Sequence, residues 1–121
     1  MSNEGDVQNL VRLAASRLGV RMWRNNNGAG RLENGSFVRW GLANDSSEMN
    51  RVVKSADLIG IRPVIITPEH IGMTIGQFVS REVKASNWID RNTERERAQK
   101  RWADLVTSLG GDAAFTTGEF K

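Results

Sequence analysis

Cysteine is absent from the 121-residue chain. That excludes disulfide scaffolds, thiolate zinc sites, iron–sulfur clusters and cysteine nucleophiles. Histidine occurs once, at His70, so a multi-histidine metal site is excluded and any histidine-based triad would have to use that residue. No apolar run approaches the roughly 20 residues of a membrane span. The first residues, Met1-Ser2-Asn3-Glu4-Gly5-Asp6, are polar and acidic, unlike a secretory signal. A cytoplasmic chain with no membrane partner is the expectation. Lysine is scarce as well: of 17 basic residues only four are lysines and the rest are arginines, against 14 acids, for a net charge of +3. Arginine forks phosphate bidentately, and a small arginine-rich domain makes nucleic acid a candidate partner.

The length suits one domain, and no internal repeat, low-complexity tract or linker divides residues 1–121. Val7, Leu10, Val11, Ala14 and Leu18 recur at helical spacing and predict a helix over about residues 4–18, capped by Ser2 or Asn3 and ended by Gly19. Glu4 would sit at the N-terminal end of the face that enters the core. Val20–Arg24 alternates as a strand and stops at the turn Asn25-Asn26-Asn27-Gly28; Ser36–Trp40 alternates again. Leu42–Lys54 is polar and reads as a loop with room for one helical turn at its end. Ala56–Ile61 begins a strand that resumes as Pro63–Ile66. After a turn region at Thr67–Gly76, Gln77–Lys84 is a second strand, and the two should pair as an antiparallel hairpin. Thr93-Glu94-Arg95-Glu96 is a capping box. It opens a helix with Ala98, Trp102, Leu105, Val106 and Leu109 on its apolar face, stopped by Gly110-Gly111. Ala113–Thr116 is a last strand. The order α-β-β-β-β-α-β predicts an α/β fold, a mixed sheet flanked by helices.

Glu82-Val83-Lys84 carries the chemistry. On a strand Glu82 and Lys84 share a face while Val83 points to the opposite, apolar side. The bland alternative is a surface salt bridge. Asp57 adds a second acid at the start of the partner strand, directly before the apolar run Leu58-Ile59-Gly60-Ile61, where an unpaired acid is costly. If the hairpin pairs, Asp57 approaches Glu82. Two converging carboxylates need a cation between them or a raised pKa. Magnesium, commonly held by one or two carboxylates plus phosphate and water, fits, and manganese would substitute. Such a metal neutralises charge on a phosphoryl group and lowers the pKa of an attacking water. Lys84 would orient or deprotonate that water, or neutralise developing charge.

Two segments, Ser55-Ala56-Asp57-Leu58-Ile59-Gly60-Ile61 and Gly76-Gln77-Phe78-Val79-Ser80-Arg81-Glu82-Val83-Lys84, together resemble the virus-type replication-repair nuclease domain (VRR-NUC) of the PD-(D/E)xK nuclease superfamily. Arg24-Asn25-Asn26-Asn27-Gly28 is similar to that family's arginine–asparagine turn. Ala98-Gln99 with Gly110-Gly111-Asp112-Ala113 is similar to its late helix, glutamine and glycine turn. Lys54 stands where the family's pattern has glycine, and the loop before it is long and polar. The resemblance implies a restriction-endonuclease-like sheet flanked by helices, of the standalone kind found in phages. It implies Asp57 and Glu82 as metal ligands with the Val83 carbonyl as a third. Glu4 would be the helix acid, with Asp6 and Gln8 close enough to replace it if the helix shifts register. Lys84 would be the catalytic lysine and Gln99 a glutamine near the site.

For DNA contacts the candidates are Arg24, Asn25 and Arg31 around the asparagine turn, Lys54, and Arg95 and Lys100 in the basic run of the last helix, whose plain alternative is a solvated face. His70 reads as a solvated loop residue or a phosphate contact. Trp23, Trp40 and Trp102 read as core; Trp88, just past Lys84, is free for base stacking or a subunit contact. The function expected is a magnesium-dependent endonuclease on branched DNA, a homodimer like a Holliday-junction resolvase. The alternatives are a monomeric flap or nicking nuclease, and a non-catalytic nucleic-acid-binding module.

Overall fold

The structure, a computed structural model, describes residues 3–120. It is a mixed α/β chain whose three helices accompany three two-stranded sheets among the described residues. The chain divides into two compact units, Met1–Gly60 and Ile61–Lys121.

The first unit holds α1 (Glu4–Arg17), β1 (Arg21–Arg24), β2 (Gly28–Arg31), β3 (Phe37–Trp40), α2 (Ser47–Val52) and β4 (Leu58–Ile61), whose last residue opens the second unit. Asn3 caps α1 by accepting from the Asp6 N–H at 2.8 Å. Acids in the first turn and Arg17 in the last complement the helix dipole. β1 pairs with β4. Gly60 makes that pairing possible: a Cβ there would lie 2.0 Å from the Arg21 carbonyl oxygen and 2.6 Å from Met22 Sδ. β2 and β3 form an antiparallel hairpin in the register Gly28↔Trp40 to Arg31↔Phe37. Its tip is closed by Gly35, at φ 88°, donating to the Leu32 carbonyl at 2.9 Å. Asn44 is buried against the open end, donating from Nδ2 to the Gly28 and Trp40 carbonyls at 2.8 and 2.9 Å.

The helical turn expected near the end of the polar Leu42–Lys54 stretch is α2, with Ser46 as its cap. Two other expectations are corrected in this unit. Gly28 begins β2 rather than ending a turn. The apolar face of α1 does not enter a core: no α1 residue is buried, and Val7, Leu10 and Val11 are exposed. The helix packs chiefly on β1. Fourteen helical residues span about 21 Å, whereas a four-residue strand spans about 13 Å. The strand is too short to cover the helical face.

The second unit holds a one-turn 3-10 helix at Pro68–His70, then β5 (Val79–Val83), α3 (Glu94–Ser108) and β6 (Asp112–Thr116). β5 and β6 are parallel, registered Val79↔Asp112 through Glu82↔Phe115 and Val83↔Thr116. Parallel neighbours need a crossover, and α3 provides it. Thr93 and Glu96 close the capping box at its start, and Gly110 at φ 93° turns the chain away after its end. Val106, on the α3 face over the sheet, is fully buried.

The expected hairpin between Ala56–Ile66 and Gln77–Lys84 is not formed: β4 pairs with β1, and β5 with β6. β4 ends at Ile61, and Pro63 has no N–H to continue a ladder. Val83 is corrected too. It points away from Lys84 and Glu82 as alternation requires, yet it is 70% exposed rather than packed in an apolar layer.

Candidate functional site

On β5, side chains alternate, so Ser80 and Glu82 face α3 and Lys84, just beyond the strand, continues that face. α3 answers with residues one turn apart: Trp102 Nε1 donates to Ser80 Oγ at 2.8 Å, and Gln99 lies over Glu82 and Lys84. The Gln99 amide uses both ends. Its Nε2 donates to Glu82 Oε1 at 2.7 Å, and its Oε1 accepts from Lys84 Nζ at 2.8 Å. Lys84 Nζ also lies 3.6 Å from Glu82 Oε1. The Lys84 side chain is 15% exposed and that of Glu82 is 39% exposed. Glu82 Oε2 has no hydrogen-bond partner among the described residues. An acid and an ammonium are thus held by one glutamine. A simple surface ion pair contributes about 0–1 kcal/mol and leaves both side chains mobile; the bridge fixes the geometry of both.

The segment after Lys84 closes one side of this cluster. Trp88 stacks on Phe115, ring centroids 5.5 Å apart and 19° between planes. Lys84 Nζ lies 5.8 Å from each ring centroid. Glu96 is 6% exposed and accepts from the Thr93 N–H at 3.0 Å, the Trp88 indole N–H at 3.1 Å and the Arg91 N–H at 3.2 Å. The Thr93 N–H and hydroxyl, then the Arg91 N–H and the indole, hold its carboxyl down at about 2 against the opposing effect of burial.

In the first unit Asp57 precedes β4 and its carboxylate is exposed, with no hydrogen bond or ion pair among the described residues. Its backbone is fixed. The Asn25 N–H donates to the Asp57 carbonyl at 2.9 Å, and Asn25 Nδ2 donates to Ser55 Oγ at 2.8 Å and the Ala56 carbonyl at 2.9 Å. Asn27 Nδ2 reaches the same Ser55 hydroxyl at 2.8 Å, and that hydroxyl donates to the Leu42 carbonyl at 2.7 Å. The asparagine turn is therefore a bracket on Ser55–Asp57, and Asn25, expected on DNA, spends its amide inside the protein. Glu4 is exposed in the first turn of α1.

The remaining DNA candidates differ in freedom. Arg95 is exposed on α3. Lys100 is paired with Asp90, which holds the Asp90 carboxyl below its usual range. Arg24 donates to Asn9 Oδ1 at 3.3 Å, Arg31 to the Gly35 carbonyl at 3.2 Å, and Lys54 to Asn50 Oδ1 at 2.6 Å; all three are exposed. His70 closes its own 3-10 turn, its Nδ1 accepting from the Thr67 N–H at 3.0 Å. Among the tryptophans expected in the core, Trp40 and Trp102 are partly exposed, at 48% and 38%. Phe115 and the indole bond to Glu96 were missed in sequence; the Thr93–Glu96 capping box was the one local sign that this acid is held.

Asp57 in the first unit and Glu82 in the second each offer a hard carboxylate oxygen, the donor type that magnesium takes, and one or two carboxylates suffice where phosphate and water complete its shell. No group of three or more acidic or histidine side chains placed to hold a metal occurs among the described residues. No protein-family model matches the chain, nor does any curated protein or solved structure it was compared with.

Proposed function

We propose that the chain is a divalent-metal-dependent endonuclease acting on branched DNA, of the VRR-NUC type and with a restriction-endonuclease-like fold. What supports the reading best is the Glu82–Gln99–Lys84 bridge: an acid and a lysine two residues apart on one face, each held by a single helix glutamine. The ligands of a magnesium ion in this reading are those the resemblance implies, Asp57, Glu82, the Val83 carbonyl and Glu4. When bound, magnesium supplies charge neutralisation at the phosphate and a water of lowered pKa. Lys84, held at 2.8 Å by the Gln99 carbonyl oxygen, would neutralise charge developing on a phosphoryl oxygen or orient the attacking water. Gln99 restricts Lys84 and Glu82 to one geometry, lowering the ordering cost of reaction. Exposed arginines such as Arg95 add contacts to backbone phosphate that carry no sequence information, so selectivity would come from DNA shape. A homodimer placing two such sites on a two-fold junction is the assembly proposed, acting in the cytoplasm.

The test is a cleavage panel: four-way junction, flap and linear duplex, each with magnesium, with manganese and with chelator. Paired symmetric nicks on the junction, abolished by chelator, are expected. Flap or duplex cutting would keep the nuclease and discard the resolvase. Tight DNA binding with no cutting on any substrate would leave a binding module.

A further inference from the structure

The aromatic wall beside Lys84 has no role in the chemistry above, yet it is built with more constraint than a loop tryptophan needs. Three independent anchors hold the Trp88 ring. Its backbone N–H closes a tight turn onto the Ala85 carbonyl at 2.9 Å. Its indole N–H is bound by Glu96, whose carboxylate is itself fixed by the Thr93 and Arg91 N–H groups. Its face is stacked on Phe115, which the parallel register places directly beside Glu82. The Lys84 ammonium sits 5.8 Å from both ring centroids, within the reach of a cation–π contact. A lysine stem has four rotatable bonds, and the Gln99 oxygen restrains only its tip. The rings restrain the side from which the tip would otherwise swing away.

We infer that Trp88, pinned by Glu96 and stacked on Phe115, is a positioning residue that holds the Lys84 ammonium against Gln99 and Glu82. Trp88 acts through Lys84, so its importance for cleavage rests on the catalytic role given to Lys84 above. Its effect on the placement of the ammonium does not.

The test uses the full chain and two readouts. In proton NMR of the wild type, the Lys84 Cε protons, assigned by their loss in Lys84→Arg, are expected upfield of ordinary lysine values because of the ring currents. Trp88→Leu should return them towards ordinary values, and Trp88→Phe should keep part of the displacement. In junction cleavage at saturating magnesium, Trp88→Leu should lower kcat about tenfold with KM unchanged, and Trp88→Phe should recover most of the loss. Lys84 Cε protons at ordinary positions in the wild type would overturn the inference without any variant having to fold. Wild-type kcat in a folded Trp88→Leu protein would overturn it too. A wild type that cuts no DNA would instead retire the nuclease reading, and the ring-current displacement would then decide whether Trp88 holds the ammonium.

Discussion

The two units treat their acids in opposite ways. In Met1–Gly60 the chain around Asp57 is fixed by Asn25 bonds to the Ala56 and Asp57 carbonyls and by the Asn25 and Asn27 amides on the Ser55 hydroxyl, and the Asp57 carboxylate itself is left exposed. In Ile61–Lys121 the side chains are fixed: Glu82 and Lys84 meet in one glutamine, and Glu96 collects three N–H groups. The difference comes from the layer above. β5 lies under α3, so its inward side chains find helix partners one turn apart; the Ser55–Asp57 segment meets a turn, which offers mostly short amides and backbone. Orientation of a carboxylate needs a second element across from it, whereas placement of its Cα needs only hydrogen bonds to the main chain.

The comparison is broken hardest by neutralising one acid in each unit. If the chain is the proposed nuclease, magnesium should raise the melting temperature of the wild type, and Asp57→Asn and Glu82→Gln should each remove that rise and cut cleavage by about 100-fold or more. If Asp57→Asn keeps the full magnesium response, Asp57 is not a ligand. A smaller effect separates the two kinds of support. Asn25→Ala removes a structural bracket and should cost about 1–2 kcal/mol in urea unfolding. Gln99→Leu breaks hydrogen bonds to two charged groups and should cost at least as much, while also lowering cleavage about 10- to 100-fold, as loss of an orienting group does. Wild-type cleavage by a folded Gln99→Leu protein would make Gln99 another bracket.

The smallest effect concerns Glu96. Its folded-state pKa is depressed from 4.5 to about 2, so its stabilising contribution is complete above pH 4.5 and is lost as pH falls towards 2. Melting temperatures recorded down that range should converge for wild type and Glu96→Gln. A constant gap between them would mean that the carboxylate charge does not stabilise the fold.

The local parts of this account were legible in the sequence. Period-two alternation put Glu82 and Lys84 together, and Thr93–Glu96 with Gly110 bounded α3 to within a residue. Asn25 stood out as part of a turn, but its partner Ser55 lies 30 residues away and nothing local announces it. β2 was missed because Gly28-Ala29-Gly30-Arg31 has almost no strand propensity; its pairing with β3 and the Asn44 amide hold it instead. The hairpin was expected because two apolar runs close in sequence usually pair. Pro63 interrupts the first run, and α3 delivers β6 to the second. Phe115 came to the Lys84 cluster only through that parallel register.

Single-turnover cleavage of a four-way junction by wild type and Lys84→Ala, at matched DNA occupancy and saturating magnesium, tests most directly whether the Glu82–Gln99–Lys84 bridge is a working site. The variant is expected to bind DNA and melt like the wild type while cutting at least about 100-fold more slowly. Cutting at the wild-type rate would reduce the bridge to a well-made ion pair.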